Sequence, residues 1–198
     1  CISHAIAQMT RKKKLIVIGG GAAGFFCGVN AARLHQDLEV VILEKTTKLL
    51  SKVKVSGGGR CNVTHASDEV EDMLHAYPRG MRLLKKTLHQ FSPIDTIHWF
   101  EERGVTLKEE ADGRMFPVSN NSQSIIDCLL AEASKHAVKI NTSMEVISIV
   151  KTTDHFLLEV TDVHKAKTEV TADYVCIASG GYPKLSGFDW LTSIGHSI

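Results

Sequence analysis

Lys14-Leu15-Ile16-Val17-Ile18-Gly19-Gly20-Gly21-Ala22-Ala23-Gly24 begins the stretch that decides the fold, and Val40-Val41-Ile42-Leu43-Glu44 ends it. Leu15 to Ile18 is a continuous apolar run with three β-branched residues, the pattern of a buried strand in a parallel sheet. Gly19, Gly21 and Gly24 satisfy G-x-G-x-x-G, and a helical pattern follows from Ala22 to about His35. A second buried strand, Val40 to Leu43, ends at Glu44, 20 positions after Gly24. A strand, Gly turn, helix, strand and acid in this order form a dinucleotide-binding unit. Gly19 suits the tight turn, Gly21 leaves room for a pyrophosphate, and Gly24 lets the helix pack against the sheet. The helix start, including Ala22 and Ala23, offers N–H groups and partial positive charge to phosphates. Glu44 is placed to accept hydrogen bonds from ribose hydroxyls and to repel a 2′-phosphate, which argues against NADP at this site. The glycine pattern alone is weak, and a βαβ unit with a merely structural turn is the plain alternative.

Outward from this unit, the 198 residues allow one substantial domain. A formal net charge of +1 gives no general argument for nucleic acid or a membrane surface, and no apolar run has the length of a membrane span. The expected partner is a small-molecule substrate, with no nucleic acid and no membrane. Arg11-Lys12-Lys13-Lys14 reads as solvated charge ahead of the first strand. The five cysteines are odd in number and lack CxxC spacing, so reduced thiols in a cytoplasmic setting are expected, with no metal site. Cys27, Cys128 and Cys176 read as small core residues. The chain begins at Cys1, and Met9-Thr10-Arg11 resembles a natural start. Residues 1–13 are therefore set apart as an extension from a domain at 14–198, and the abrupt Ser197-Ile198 end suggests a fragment.

After Glu44 and Lys45 the block Ser56-Gly57-Gly58-Gly59-Arg60-Cys61-Asn62 stands out. Three successive glycines suggest backbone that approaches something closely, with Arg60 beside it to meet a phosphate or an anionic ring. A flexible surface loop with solvated charges is the equal alternative. Cys61 beside Arg60 is a candidate for a lowered-pKa thiol. A helical insert spans about 67–104. Ser67 is the expected cap of a helix from Asp68 to Ala76, Met81 to Gln90 forms a second, and Ser92-Pro93 starts a third with Ile94, Ile97 and Phe100 inward. Val105 to Leu107 reads as extended. An amphipathic helix places Ile126, Leu129, Leu130, Ala133 and Ala137 on one face. Lys139 to Thr142 is a short strand. Val146–Val150, His155–Thr161 and Thr168–Ala172 form a three-stranded antiparallel meander. Tyr174 to Ala178 returns as a buried strand and ends in Ser179-Gly180-Gly181, small residues that permit close backbone approach.

A meander in place of a crossover helix resembles the FAD-binding domain of glutathione-reductase-like flavoproteins. Ala178-Ser179-Gly180 stands where that superfamily carries Ala-Thr-Gly, a change that keeps the hydroxyl. Ser56 to Asn62, Gly113-Arg114-Met115-Phe116-Pro117 and Ala178-Ser179-Gly180-Gly181-Tyr182-Pro183 resemble the signatures of one family. It is the NAD(P)/FAD-dependent oxidoreductases known as the aminoacetone oxidase family, similar to 3-dehydro-bile-acid Δ4,6-reductase. The resemblance covers Lys14 to Ile198 and implies an α/β Rossmann-like FAD-binding domain with parallel sheet, helical insert and β-meander. Members are longer, so a truncated, N-terminal FAD-binding portion is expected.

The resemblance also implies that Gly58, Gly59, Arg60, Cys61 and Asn62 line the cofactor, that Val146 sits by the adenine, and that Ala178, Ser179 and Gly180 pass close to it. With Gly19, Gly21, Ala22, Ala23, Gly24, Glu44 and Lys45 these make up the expected cofactor set. The expected function is FAD binding within a flavin-dependent oxidoreductase, with NADH or NADPH as a transient hydride donor and no catalytic acid or base identified. Two rivals are an NAD-dependent dehydrogenase domain, separable by the bound cofactor's spectrum, and a non-catalytic or truncated module, separable by flavin reduction.

Overall fold

The computed structural model describes residues 11–67, 69–181 and 185–197; Cys1, Met9, Thr10, Asp68, Tyr182 and Pro183, on which parts of the sequence reading rest, lie outside them. In chain order the elements are β1 (Lys13–Ile18), α1 (Ala22–Leu34), β2 (Leu38–Glu44), α2 (Ser51–Gly59), β3 (Thr64–His65), α3 (Val70–His75), α4 (Met81–Gln90) and α5 (Pro93–Glu101). They continue with β4 (Leu107–Glu109), β5 (Arg114–Pro117), α6 (Gln123–Lys135), β6 (Lys139–Thr142), β7 (Glu145–Lys151), β8 (Phe156–Thr161), β9 (Lys167–Ala172), β10 (Tyr174–Ile177), a 3₁₀ turn (Leu185–Phe188) and α7 (Asp189–Thr192). The chain divides into two compact units, 1–49 with 133–198, and 50–132.

The first unit is Rossmann-like. Its sheet has the order β10-β1-β2-β6, and every pairing is parallel. β1 lies inside the sheet and its Leu15 to Ile18 are all buried, as the uninterrupted apolar run requires. Alternation along each strand separates the two faces. Val17, Val40 and Ile42 point to α1, where a side chain at Gly24 or Gly28 would press on them. Ile16, Ile18, Val41 and Leu43 form the opposite face and share a core with Ile149, Leu158, Val160 and Ala172 of the antiparallel β7-β8-β9 meander. The meander therefore covers the face that a crossover helix covers in a simple alternating fold. β10 departs from the sequence reading: it forms an edge of this sheet and is half-buried to exposed, not buried, because among the described residues only β1 flanks it.

The basic run before β1 is not merely solvated. Arg11 and Lys13 pair with Asp173 at 3.0 and 3.1 Å, and Lys14 Nζ lies 3.8 Å from Glu39. The Lys14 N–H also donates to Asp173 at 2.8 Å, and the Asp173 N–H returns a bond to the Lys14 carbonyl. The carboxylate thus pins the start of β1 to the corner before β10.

The second unit holds the antiparallel sheet β3-β5-β4 and helices α2 to α5. α5 starts as expected: Ser92 caps it, in a reciprocal capping box with Asp95. Its buried residues are Pro93, Trp99 and Phe100, whereas Ile94 and Ile97 are half-buried. Arg103 follows the helix, stacks 3.9 Å over Trp99 and pairs with the buried Glu132 at 2.9 Å. The expected cap Ser67 does not cap α3; its hydroxyl donates to the Glu69 carbonyl, and Glu69 takes the N-cap position without a side-chain bond. The extended stretch read at Val105 is displaced, and the strand begins at Leu107, after the turn in which the Val105 N–H bonds the Phe100 carbonyl. Ala137 lies past the end of α6 with φ +53 and is exposed, so it is not on the helix's apolar face. The boundary between the units falls within α6.

Candidate functional site

The order β10-β1-β2 makes the gap between β1 and β10 the point where the chain's strand order reverses. Ligands of open α/β sheets bind beyond the carboxyl ends of strands at such a point. Gly19 follows β1 and Ala178 follows β10, and the Ala178 N–H donates to the Ile18 carbonyl at 2.8 Å. The two backbones are so close that a β-carbon on Gly19 would run into the Ala178 carbonyl. Two motifs 159 positions apart are thereby joined into one rim. Ser179 is half-buried, and Gly180 is exposed with φ +75.

Gly24 and Gly21 have different reasons for being glycine. A side chain at Gly24 would collide with the Gly19 carbonyl, so Gly24 is required for the helix to seat against the turn. Gly21 has an extended backbone, φ −90 and ψ −172, which any residue adopts. Its missing side chain points into open space, with nothing within 4 Å. At the same place α1 starts without a side-chain cap and without an acidic residue in its first turn, and Ala22 and Ala23 are exposed. An uncapped helix start leaves N–H donors directed outward with the positive end of the helix dipole behind them. These features fit a diphosphate.

Glu44 is tied into the same rim. Its Oε2 accepts the Gly20 N–H at 2.8 Å, and its Oε1 accepts the Thr46 N–H at 2.9 Å and the Thr46 hydroxyl at 2.8 Å. A carboxylate has about four acceptor positions, and three are taken, so about one stays open, on Oε2. Gly20 and Thr46 were not identified from the sequence. The signal for Thr46 was a hydroxyl two positions after the acid; Gly20 occupies a motif position that admits any residue. Lys45 is exposed. The Met144 N–H donates to the Glu44 carbonyl and the Ser143 N–H to the Thr46 carbonyl. The start of β7, with half-buried Val146, is thereby held beside the Glu44 segment.

In the second unit, the Ser56–Asn62 block is not a flexible loop. The helix breaks at Ser56, and Gly57, Gly58 and Gly59 follow with φ +56, +69 and +86. Three successive left-handed residues require glycine. The Cys61 N–H closes onto the Ser56 carbonyl, and Ser122 ties the turn at both the Gly59 and Lys54 carbonyls. Arg60 is half-buried and partnered: it pairs with Glu110 and stacks 4.0 Å from the centre of the buried Phe116 ring. Gly58 opens to space, and Asn62 is exposed. Cys61 corrects the lowered-pKa expectation. It is buried, and burial pushes its thiol up, outweighing a bond from Ser56. Asn62, Thr64, His65, Asp72, Met73 and Tyr77 help to line a cavity of about 810 Å³. That is a volume suited to a small organic ligand. Both nitrogens of His65 face carbonyls, at 2.9 Å from Asp112 and 3.1 Å from Ala66, and its ring occupies the space a side chain at Gly113 would need.

Among the described residues, no group of three His, Cys, Asp or Glu side chains is assembled to hold a metal ion, and no helix is long and apolar enough to cross a membrane.

Comparison with known proteins places these features in context. Residues 13–198 match the family described as HI0933-like protein Rossmann domain. The 3-dehydro-bile acid delta(4,6)-reductase of Clostridium scindens is 28% identical over 188 residues, covering 92% of this chain and 44% of that protein. The resemblance drawn from the sequence motifs is therefore borne out. The ribosomal RNA dihydrouridine synthase of Escherichia coli is 31% identical over 166 residues, 84% of this chain and 39% of that protein. The chain thus spans less than half the length of either relative. Among solved structures, the open conformation of a flavocytochrome c3 fumarate reductase superposes with a TM-score of 0.65 at 22% identity, covering 87% of this chain and 35% of that one. Thermovibrio ammonificans THI4 gives 0.56 at 14% identity, with coverages of 85% and 57%. At these identities the structures bear on the fold alone.

Proposed function

We propose, from the premise that this chain belongs to the HI0933-like Rossmann-domain family, that it is the FAD-binding portion of a flavin-dependent oxidoreductase. The observation that carries this reading is the uncapped, acid-free start of α1 beneath the open space at Gly21, with Glu44 tied to the same turn. In this reading Gly19, Gly21, Ala22, Ala23 and Gly24 hold the pyrophosphate, and Glu44 holds the adenosine ribose with Lys45 beside it. Val146 lies toward the adenine, and Ala178, Ser179 and Gly180 flank the cofactor. Gly58, Gly59, Arg60, Cys61 and Asn62 line it further along. We assign residues 14–198 to this domain, with 67–104 as its helical insert.

Bound flavin supplies hydride transfer. The chain's own contribution is to bind and orient. The α1 N–H groups offset phosphate charge, Glu44 fixes the ribose, and the Glu110–Arg60–Phe116 stack holds a guanidinium in a defined place. NADH or NADPH serves as transient donor. The substrate is a small organic molecule, for which the cavity beside Asn62 supplies a suitable volume. A second reading, an RNA base as the substrate, is favoured by the relative named ribosomal RNA dihydrouridine synthase. The absence of CxxC spacing supports reduced thiols and a cytoplasmic setting.

The test is the visible absorption spectrum of the purified protein, followed by release and identification of its ligand and by titration with FAD. A yellow protein that yields FAD, or takes it up stoichiometrically, is the expected result. A colourless protein that refuses FAD and binds NAD would overturn the reading in favour of a dehydrogenase domain.

A further inference from the structure

Cys27 and Cys176 are 149 positions apart, so no local spacing relates them. The fold brings them together: α1 packs on β10, Cys176 stands in register with Val17, which faces α1 at Gly24, one turn before Cys27, and both cysteines are half-buried. This corrects the reading of both as core residues; of the three so assigned, only Cys128 is buried. Cys27 lies on the helix that starts at the Gly21 turn, and Cys176 lies two residues before Ala178. Among the described residues β10 is an edge strand, so the pair stands at the margin of the sheet, and neither cysteine is fully buried.

Each thiol bears on the other: the neighbouring Cys27 pushes the Cys176 thiol down to about 7, while the Cys27 thiol is pushed up by Cys176 and by burial. Cys61 and Cys128 differ from Cys176 in both respects: they are buried, and burial raises their thiols, that of Cys128 to about 11. Thiolate character together with exposure selects which thiol an oxidant attacks.

We propose that Cys27 and Cys176 are a hydroperoxide-responsive dithiol that closes to a reversible disulfide between α1 and β10. The Cys176 thiolate attacks one oxygen of hydrogen peroxide. The O–O bond breaks, hydroxide leaves, and Cys176 becomes a sulfenic acid. The Cys27 sulfur then attacks the Cys176 sulfur; the S–O bond breaks, and the Cys27 proton leaves with the hydroxyl group as water. Two thiols are oxidised by two electrons, and one peroxide is reduced to two waters. A small oxidant suits half-buried sulfurs, and thiol reductants restore the pair. The bridge ties the helix behind the phosphate-binding turn to the strand that ends against Gly19, and so adds redox sensitivity to the rim of the nucleotide site.

The experiment treats the 198-residue chain with a modest excess of hydrogen peroxide and blocks remaining thiols. Tryptic peptides are then analysed by mass spectrometry without reduction. The expected product is the peptide Leu15–Arg33 linked to Thr168–Lys184, two hydrogens lighter than their sum and separated by dithiothreitol. In Cys27→Ser, dimedone should label Cys176, since its sulfenic acid has no partner. A chain of unchanged circular dichroism that gives no linked peptide, or that oxidises Cys61 and Cys128 as readily, would overturn the proposal. The wild-type linkage stands whether or not the variant folds.

Discussion

At the residue scale, two glycines of one motif do different work, and substitution separates them. Gly21→Val keeps an allowed backbone and meets no neighbour, so its thermal midpoint should match the parent's. Its two methyls occupy the open space assigned to the pyrophosphate, so FAD uptake should be lost. Retained stoichiometric flavin would remove the cradle assignment. Glu44→Ala removes the proposed ribose acceptor and also the anchor of Gly20 and Thr46. Charged hydrogen bonds contribute about 1.5–3 kcal/mol each, so FAD should bind roughly ten- to a hundredfold more weakly by titration. Unchanged affinity would locate the ribose elsewhere.

At the scale of elements, the sequence signals succeeded where the structure is local. The Ser92–Asp95 capping box is legible because both partners fall within one turn. Ser92→Ala should cost about 1 kcal/mol, the usual loss for a capping side chain, read as a lower denaturant midpoint with the slope unchanged. The meander's bounds were legible from period-2 alternation, and Phe156, Leu158 and Val160 do share one face. Leu158 is fully buried where the meander meets Ile16, Ile18, Val41 and Leu43. Leu158→Ala should cost about 2–5 kcal/mol; a loss below 1 kcal/mol in denaturant titration would mean that the meander does not seal that face. Local signals failed at α3, where a plausible cap at Ser67 turned its hydroxyl to the Glu69 carbonyl instead. They failed at Ala137 too, because a helix period carried past a left-handed residue no longer describes the chain.

At the scale of the whole molecule, acid stability depends on a long-range anchor. The Lys14 backbone N–H, then the Arg11 and Lys13 side chains, hold the Asp173 carboxyl at about 2, below the ordinary carboxylate range. A depressed folded pKa stabilises above the unfolded value of about 3.9. That stabilisation is lost as pH falls through about 2. Asp173→Asn should therefore lower stability at neutral pH and flatten the decline between pH 4 and 2 in pH-dependent denaturation. An unchanged acid limb would show that other carboxylates govern it.

The sequence by itself determined the β1–Gly turn–α1–β2–Glu44 unit, the helix caps with their own partners nearby, and the meander, because each is written in short-range periodicity and steric preference. Tertiary structure alone decided that β10 lies beside β1, that Ala178 closes on Gly19, that Arg60 meets Glu110, and that Cys27 meets Cys176. Such contacts join residues tens to more than a hundred positions apart. They follow from which strands share hydrogen bonds and which faces are buried together, a choice that no local window of sequence contains.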